Sequence, residues 1–269
     1  MPVDDAGRLT AAPLEVVGRF TDASNATLLG RLTDRDPRPL AAIAESLGRE
    51  PTIDDLDPVD LVVYKPRDGE RPLWDYPQGT LHRREVAAVV IDRALGVGLV
   101  PDTVLRDDAP YGPGSVQRFV PHDPELHYFT LREPALAGED DALRARFVQL
   151  AVLDLVIDNA DRKGGHVLVA DGDGSVADRL RAVDHGVTFN VEDKHRTVVW
   201  DLASSPLPSD VAEALDRLSD ALDATLGERL SMLLAEEEVE ATRRRVRALR
   251  GVGVLPEPEG PRPYPWPLL

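Results

Sequence analysis

Residues 158–166 read Asp158-Asn159-Ala160-Asp161-Arg162-Lys163-Gly164-Gly165-His166. Asp, Asn and Gly are ordinary turn formers, and a polar connecting loop is the plainest reading of them. Two acids, two bases, an amide and an imidazole in nine residues are nevertheless dense in chemically useful groups. Upstream, Asp141 to Ile157 puts Leu143, Phe147, Leu150, Leu153 and Ile157 on one face, the spacing of an amphipathic helix. Downstream, His166 to Ala170 reads as a short strand, Asp171 to Gly174 as a turn, and Leu180 to Val183 as a second strand running into Asp184-His185-Gly186. Asp161 and Asp184 each stand at the boundary of a regular element. Two such carboxylates make a hard-oxygen site suited to magnesium, and the amides around Gly164 and Gly165 can approach an anion closely.

The chain before this segment has strand character. Leu14 to Phe20 and Thr27 to Thr33 form a hairpin across the turn Thr21-Asp22-Ala23-Ser24-Asn25-Ala26. Asp34 to Pro58, rich in Pro, Asp and Glu, reads as an insertion around a short helix, Pro39 to Leu47. Leu61-Val62-Val63-Tyr64 is a buried strand that stops at Lys65-Pro66. After the polar loop Arg67 to Gly79 comes a helix, His82 to Leu95, with Val86, Val89, Val90 and Ala94 on one stripe and Gly96 and Gly98 beyond it. Val100 to Leu105 and Ser115 to Val120 flank a turn and make a second hairpin. The last third is helical, Ser209 to Leu226 and Glu228 to Leu249, followed by a proline-rich extended tail. The expected architecture is α+β and bilobal: a β-rich lobe over residues 1–120, a helical lobe over 121–254, and a tail over 255–269. A ligand is expected in a cleft between the lobes.

Composition limits the function classes. The 269 residues carry 31 Lys and Arg against 48 Asp and Glu, a formal charge of −17, which disfavours a nucleic-acid partner. There is no cysteine, so disulfides, thiolate metal sites and cysteine nucleophiles are excluded. The first residues hold early acids and no apolar core of a signal peptide, and no run approaches the ~18 apolar residues of a membrane span. A cytoplasmic protein without integral membrane association is the expectation.

Lys65 at a strand end and Glu85 on the following helix are each unremarkable alone, a lysine there usually reaching to solvent. Together they can form the ion pair that holds an ammonium against nucleotide phosphates. The ordered set resembles the phosphatidylinositol 3-/4-kinase superfamily, with the nearest likeness to type II phosphatidylinositol 4-kinases and a more distant one to HipA-type kinases. The stretches that carry it are Glu85-Val86-Ala87 through Asp92 and Leu95 to Val100-Pro101-Asp102-Thr103, Ser115 to Val120, Asn159-Ala160-Asp161-Arg162, and Val183-Asp184-His185-Gly186. They span roughly residues 60–190.

That resemblance implies roles. Lys65 would meet the α/β-phosphates and Glu85 would pair with it. Ser24, Asn25 and Thr27 would cover the phosphates from a turn that lacks the family's glycines. Gln117, Arg118, Phe119 and Val120 would frame the adenine through backbone groups. Asp161 would be the catalytic base, with Arg162 beside it in the catalytic set, and Asp184 the main metal ligand. His166 stands where the family usually has an asparagine metal ligand; it is either a ligand better suited to Mn2+ than Mg2+ or a phosphate-contacting or structural residue. The implied activity is ATP- and metal-dependent transfer of a phosphoryl group to a hydroxyl of a soluble inositol- or sugar-like molecule or of a protein Ser/Thr. The alternatives are a nucleotide-binding pseudokinase and an adenylyl transferase. The tail is a candidate segment for a protein partner.

Overall fold

The run Leu61 to Tyr64 becomes the middle of a five-stranded sheet. Its strands are β1 (Leu14–Arg19), β2 (Leu28–Leu32), β3 (Leu61–Pro66), β4 (Thr103–Arg106) and β5 (Gly114–Arg118), in the order β1-β2-β3-β5-β4. Every neighbouring pair is antiparallel. Alternate residues of β3 serve opposite faces, as the two-residue repeat of a strand requires. Val62 and Tyr64 pack with Leu9, Leu28, Leu32 and Val116, whereas Leu61 packs with Ile43 and Leu56. Both faces are therefore covered, one by α1 (Asp5–Ala11) and the other by α2 (Leu40–Leu47). This computed structural model describes residues 5–21, 23–258 and 260–269; Asp22 of the expected β1–β2 turn lies outside them.

Two compact units result: Met1–Val86 with Pro101–Pro121, and Ala87–Val100 with His122–Leu269. The division falls within α3 (Leu81–Leu95), whose later residues Ala87, Val90, Ile91 and Leu95 belong to the core of the second unit. That core also takes in α4 (Tyr128–Leu136), α5 (Asp141–Val156), α6 (Val176–Arg179), α7 (Ser209–Leu222), α8 (Thr225–Ser231), α9 (Glu236–Val252) and the antiparallel hairpin of β6 (Val167–Val169) and β7 (Leu180–Ala182). The architecture is α+β, as the sequence leads one to expect.

Several expectations need correction. α5 starts at its Asp140 cap but is not simply amphipathic, because every residue from Leu150 to Leu153 is buried, as are Asp154 and Val156. A helix buried this fully belongs to a core. The expected helices Ser209–Leu226 and Glu228–Leu249 are three. α7 ends at Leu222, where Arg243 donates from Nε (3.1 Å) and Nη2 (2.9 Å) to the Leu222 carbonyl and satisfies a free helix end. Gly227 sits so near that carbonyl that a Cβ would stand 2.3 Å from it. α4, which contains Pro134, and α1 carry no periodic signal that announced them. The tail runs over the second unit: the Pro263 carbonyl accepts from Thr197 N and Trp200 Nε1, and the Leu268 carbonyl from Gly164 N. Among the described residues no helix is long and apolar enough to cross a membrane.

Candidate functional site

In the first unit, Lys65 closes β3 opposite Ser115 of β5, and its Nζ makes an ion pair with Glu85 Oε1. The Glu85 side chain is 2% exposed and that of Lys65 is 20% exposed, so the ammonium keeps a path to solvent while its counter-charge does not. The loop between β3 and α3 fixes where Glu85 stands. Glu70 accepts from Leu81 N (3.1 Å) and His82 N (2.9 Å) and meets His82 Nδ1 at 2.7 Å, capping the free amides of α3. Burial pushes the Glu70 carboxyl up, but the bonds from His82 and the two amides outweigh it and leave it below its ordinary value.

The same loop holds the β1–β2 turn. Ala26 N donates to the Gly69 carbonyl (3.0 Å), and Asn25 Oδ1 accepts from Arg71 N (2.8 Å). Gly69 must be glycine, since a Cβ would fall 2.4 Å from Ala26 Cβ. The Asn25 oxygen is thus spent on the loop. Ser24 is exposed and Thr27 half-buried. On β5 the Gln117 side chain donates to Thr103 Oγ1 (2.8 Å). Arg118 N donates to Asp102 O (2.8 Å) and Phe119 N to Leu61 O (3.1 Å). Both amides of the stretch expected to frame a base are thus hydrogen-bonded to backbone carbonyls within this unit.

In the second unit the loop 158–166 is assembled around Asp154, which is fully buried on α5. Asn159 Nδ2 donates to Asp154 Oδ1 (2.9 Å), and Asn159 Oδ1 accepts from Asp161 N (3.0 Å). Arg162 grips the same carboxylate in a fork, Nε to Oδ2 at 2.9 Å and Nη2 to Oδ1 at 3.0 Å. Its Nη1 reaches the carbonyls of Val183 (2.7 Å) and His166 (3.4 Å), and Nη2 meets His185 Nε2 at 2.8 Å. A guanidinium has no lone pair to offer, so His185 Nε2 is the acceptor there. Arg162 is 0% exposed, and its donors are occupied by the protein itself. The residue expected in the catalytic set thus turns its guanidinium inward and ties the loop to the ends of β6 and β7. Residues 196–198 brace the loop from behind, with Arg162 N donating to Arg196 O and Val198 N to Arg162 O.

Four titratable groups beside this scaffold form a small cluster. Asp161 Oδ2 lies 3.2 Å from Lys163 Nζ, and Asp184 Oδ2 lies 3.4 Å from His166 Nε2. Burial pushes the Asp161 carboxyl up; Lys163 draws it back down, and the nearby charge of Asp184 raises it again. Asp184 adopts φ 60°, a left-handed conformation uncommon for a non-glycine residue and costly to hold. Among the described residues no three His, Asp or Glu side chains converge as a metal-holding group. Asp184 and His166 alone still suit a cation that takes one or two protein ligands and completes its shell with phosphate oxygens and water. Lys163 and Asp154 were not singled out from the sequence. The signal for Asp154 was an acid inside the apolar run 150–157.

No protein-family model matches the chain. Among solved structures it is similar to a Golgi casein kinase with Mn and ADP bound, with a TM-score of 0.55, 16% identity, and coverage of 91% of this chain and 74% of that one. It is similar also to the Helicobacter pylori proinflammatory kinase CtkA, with a TM-score of 0.51, 12% identity, and coverage of 91% and 94%. These likenesses establish an atypical-kinase fold, and give the narrower likeness to phosphatidylinositol kinases no support. Among curated proteins, Protein Rv2133c of Mycobacterium tuberculosis is 37% identical over 98% of this chain and 95% of its own length. Identity at that level over nearly both whole chains has one consequence: the chain belongs to the family of Protein Rv2133c.

Proposed function

We propose that this protein is an ATP- and divalent-metal-dependent phosphotransferase acting on a hydroxyl group. The observation that carries the proposal is the cluster of Asp161, Lys163, Asp184 and His166 around the buried Arg162, which is forked onto Asp154. Phosphoryl transfer asks little of a protein beyond positioning and charge neutralisation. The Lys65–Glu85 pair offers an ammonium to the nucleotide phosphates. Asp161 takes the proton from the acceptor hydroxyl, and its raised affinity for protons suits a general base. Lys163, at 3.2 Å from that carboxylate, holds its orientation and lends positive charge to the transferring group. Mg2+ or Mn2+, held by Asp184 with His166 beside it, supplies charge neutralisation at the phosphates when bound. The Mn and ADP held by the Golgi casein kinase of like fold support nucleotide and metal use here.

The absence of cysteine removes lipidation through thiols as a route to a membrane, and favours a soluble alcohol or a protein Ser/Thr as acceptor over a membrane lipid. The test compares Asp161→Asn with the parent protein for ADP binding in Mn2+ and for phosphate transfer from radiolabelled ATP to a panel of soluble alcohols and proteins. Binding retained with transfer lost supports the assignment. Transfer at the parent rate by Asp161→Asn removes Asp161 from the base position.

A further inference from the structure

The loop from Arg67 to Gly79 and the first turn of α3 line a half-open cavity of about 460 Å3 within the first unit. Small-molecule sites fall in this range of volumes. Three arginines line it, Arg67, Arg71 and Arg83, against two acids, Asp68 and Glu70. That balance runs opposite to the whole chain, in which acids outnumber bases 48 to 31. Glu70 turns both oxygens to the α3 amides and to His82, so its charge is already engaged. Arg67 is shared with the exposed Asp68 at 3.0 Å. Among the described residues the Arg71 and Arg83 side chains enter no ion pair, and both are exposed. Leu73 and Tyr76 add apolar wall beside them.

We infer that this cavity is a binding site for a small organic phosphate. Guanidinium groups bind phosphate oxygens through charge-assisted, often bidentate hydrogen bonds, and Leu73 and Tyr76 offer a surface to the carbon skeleton. A cavity of this volume, open on one side, suits a compact ligand whose phosphate meets the exposed arginines at its mouth. The loop that would close on the ligand is also the loop that holds Asn25 and Ala26 through Arg71 N and Gly69 O. Occupancy therefore stiffens the β1–β2 turn as well as the cavity.

The test titrates the full chain with inorganic phosphate in a buffer containing Mg2+, reading affinity by calorimetry and amide protection by hydrogen exchange. The parent, the double variant R71Q/R83Q, Asp68→Asn and Asp184→Asn are compared. The inference expects R71Q/R83Q to lose affinity by at least about tenfold, Asp68→Asn to bind more tightly, and Asp184→Asn to bind as the parent does. It also expects phosphate to slow exchange over residues 67–83 and at Ala26 in the parent alone of the first two. Equal affinity in the parent and R71Q/R83Q overturns it, as does affinity lost with Asp184→Asn, which would assign the anion to the candidate transfer site. Melting temperatures near that of the parent confirm that the exposed substitutions leave the fold intact, and Asp68→Asn tests the site without removing a cation.

Discussion

Replacing Asp158 with asparagine should stabilise the protein at neutral pH and leave its stability unchanged in acid. Asp158 is 2% exposed; its Oδ1 accepts from Lys194 N at 2.9 Å, and its Oδ2 lies 3.5 Å from Arg245 Nη2. Burial pushes the carboxyl from its ordinary 3.8 up to about 6, with Arg245 offsetting only part of that cost. Converted to free energy, the displacement is worth about 3 kcal/mol. The folded state holds this proton more tightly than the unfolded chain, so the contribution favours folding below pH 3.8 and is lost as pH rises to about 6. Asparagine keeps the acceptor for Lys194 N, tolerates the φ of 49° found here, and leaves Arg245 with Asp193 at 2.8 Å. His195 works in the opposite direction. Burial lowers its value from 6.5 to about 4, so its contribution is present at neutral pH and is lost as pH falls through that interval. The two slopes nearly cancel in the parent, each worth about 3 kcal/mol. Urea unfolding at pH ~7.5 and pH ~4 is the assay. Asp158→Asn should exceed the parent by up to about 3 kcal/mol at the higher pH and match it at the lower. An advantage or deficit of equal size at both values would refute the reasoning.

Other perturbations address the scaffold and the site. Asp154→Asn leaves the buried Arg162 guanidinium without its counter-charge and should cost about 3–5 kcal/mol in chemical denaturation. Gly164→Ala places a methyl group 2.6 Å from Phe129 Cε2 and should destabilise by about 1–3 kcal/mol, seen as a lower melting temperature. His166→Asn exchanges an imidazole 3.4 Å from Asp184 for an amide and should shift metal preference from Mn2+ toward Mg2+ when ADP affinity is measured with each; an unchanged preference removes His166 from the metal shell.

Much of the fold is legible in local patterns. The hairpin of β1 and β2, the strand ending in Lys65, the helix carrying Glu85 and the short strands before Asp184 all lie within a residue or two of where periodicity and turn formers put them. What escapes is set by contacts distant in the chain. Arg162 reads as a loop residue next to an acid, and only the folded chain shows its guanidinium turned inward to Asp154, Val183 and His185. The commitment of the Arg118 and Phe119 amides depends on strand partners at Asp102 and Leu61, which no local pattern names. The break between α7 and α8 follows from the close approach of Leu222 and Gly227 and from Arg243 on α9, while the continuous charge pattern suggests longer helices. Helix α4 contains Pro134, and its buried Tyr128 stands edge-on to Phe147 at 5.1 Å, a tertiary contact that no local pattern names.

The proposed activity requires nucleotide binding that depends on Lys65 and, through the metal, on Asp184. Calorimetric titration of ADP in Mn2+ tests it most directly, with the parent, Lys65→Met and Asp184→Asn side by side. The account predicts saturable binding that depends on the metal in the parent and is weakened at least about tenfold by either substitution. Absence of binding in the parent, or parent-like affinity in both variants, would contradict it.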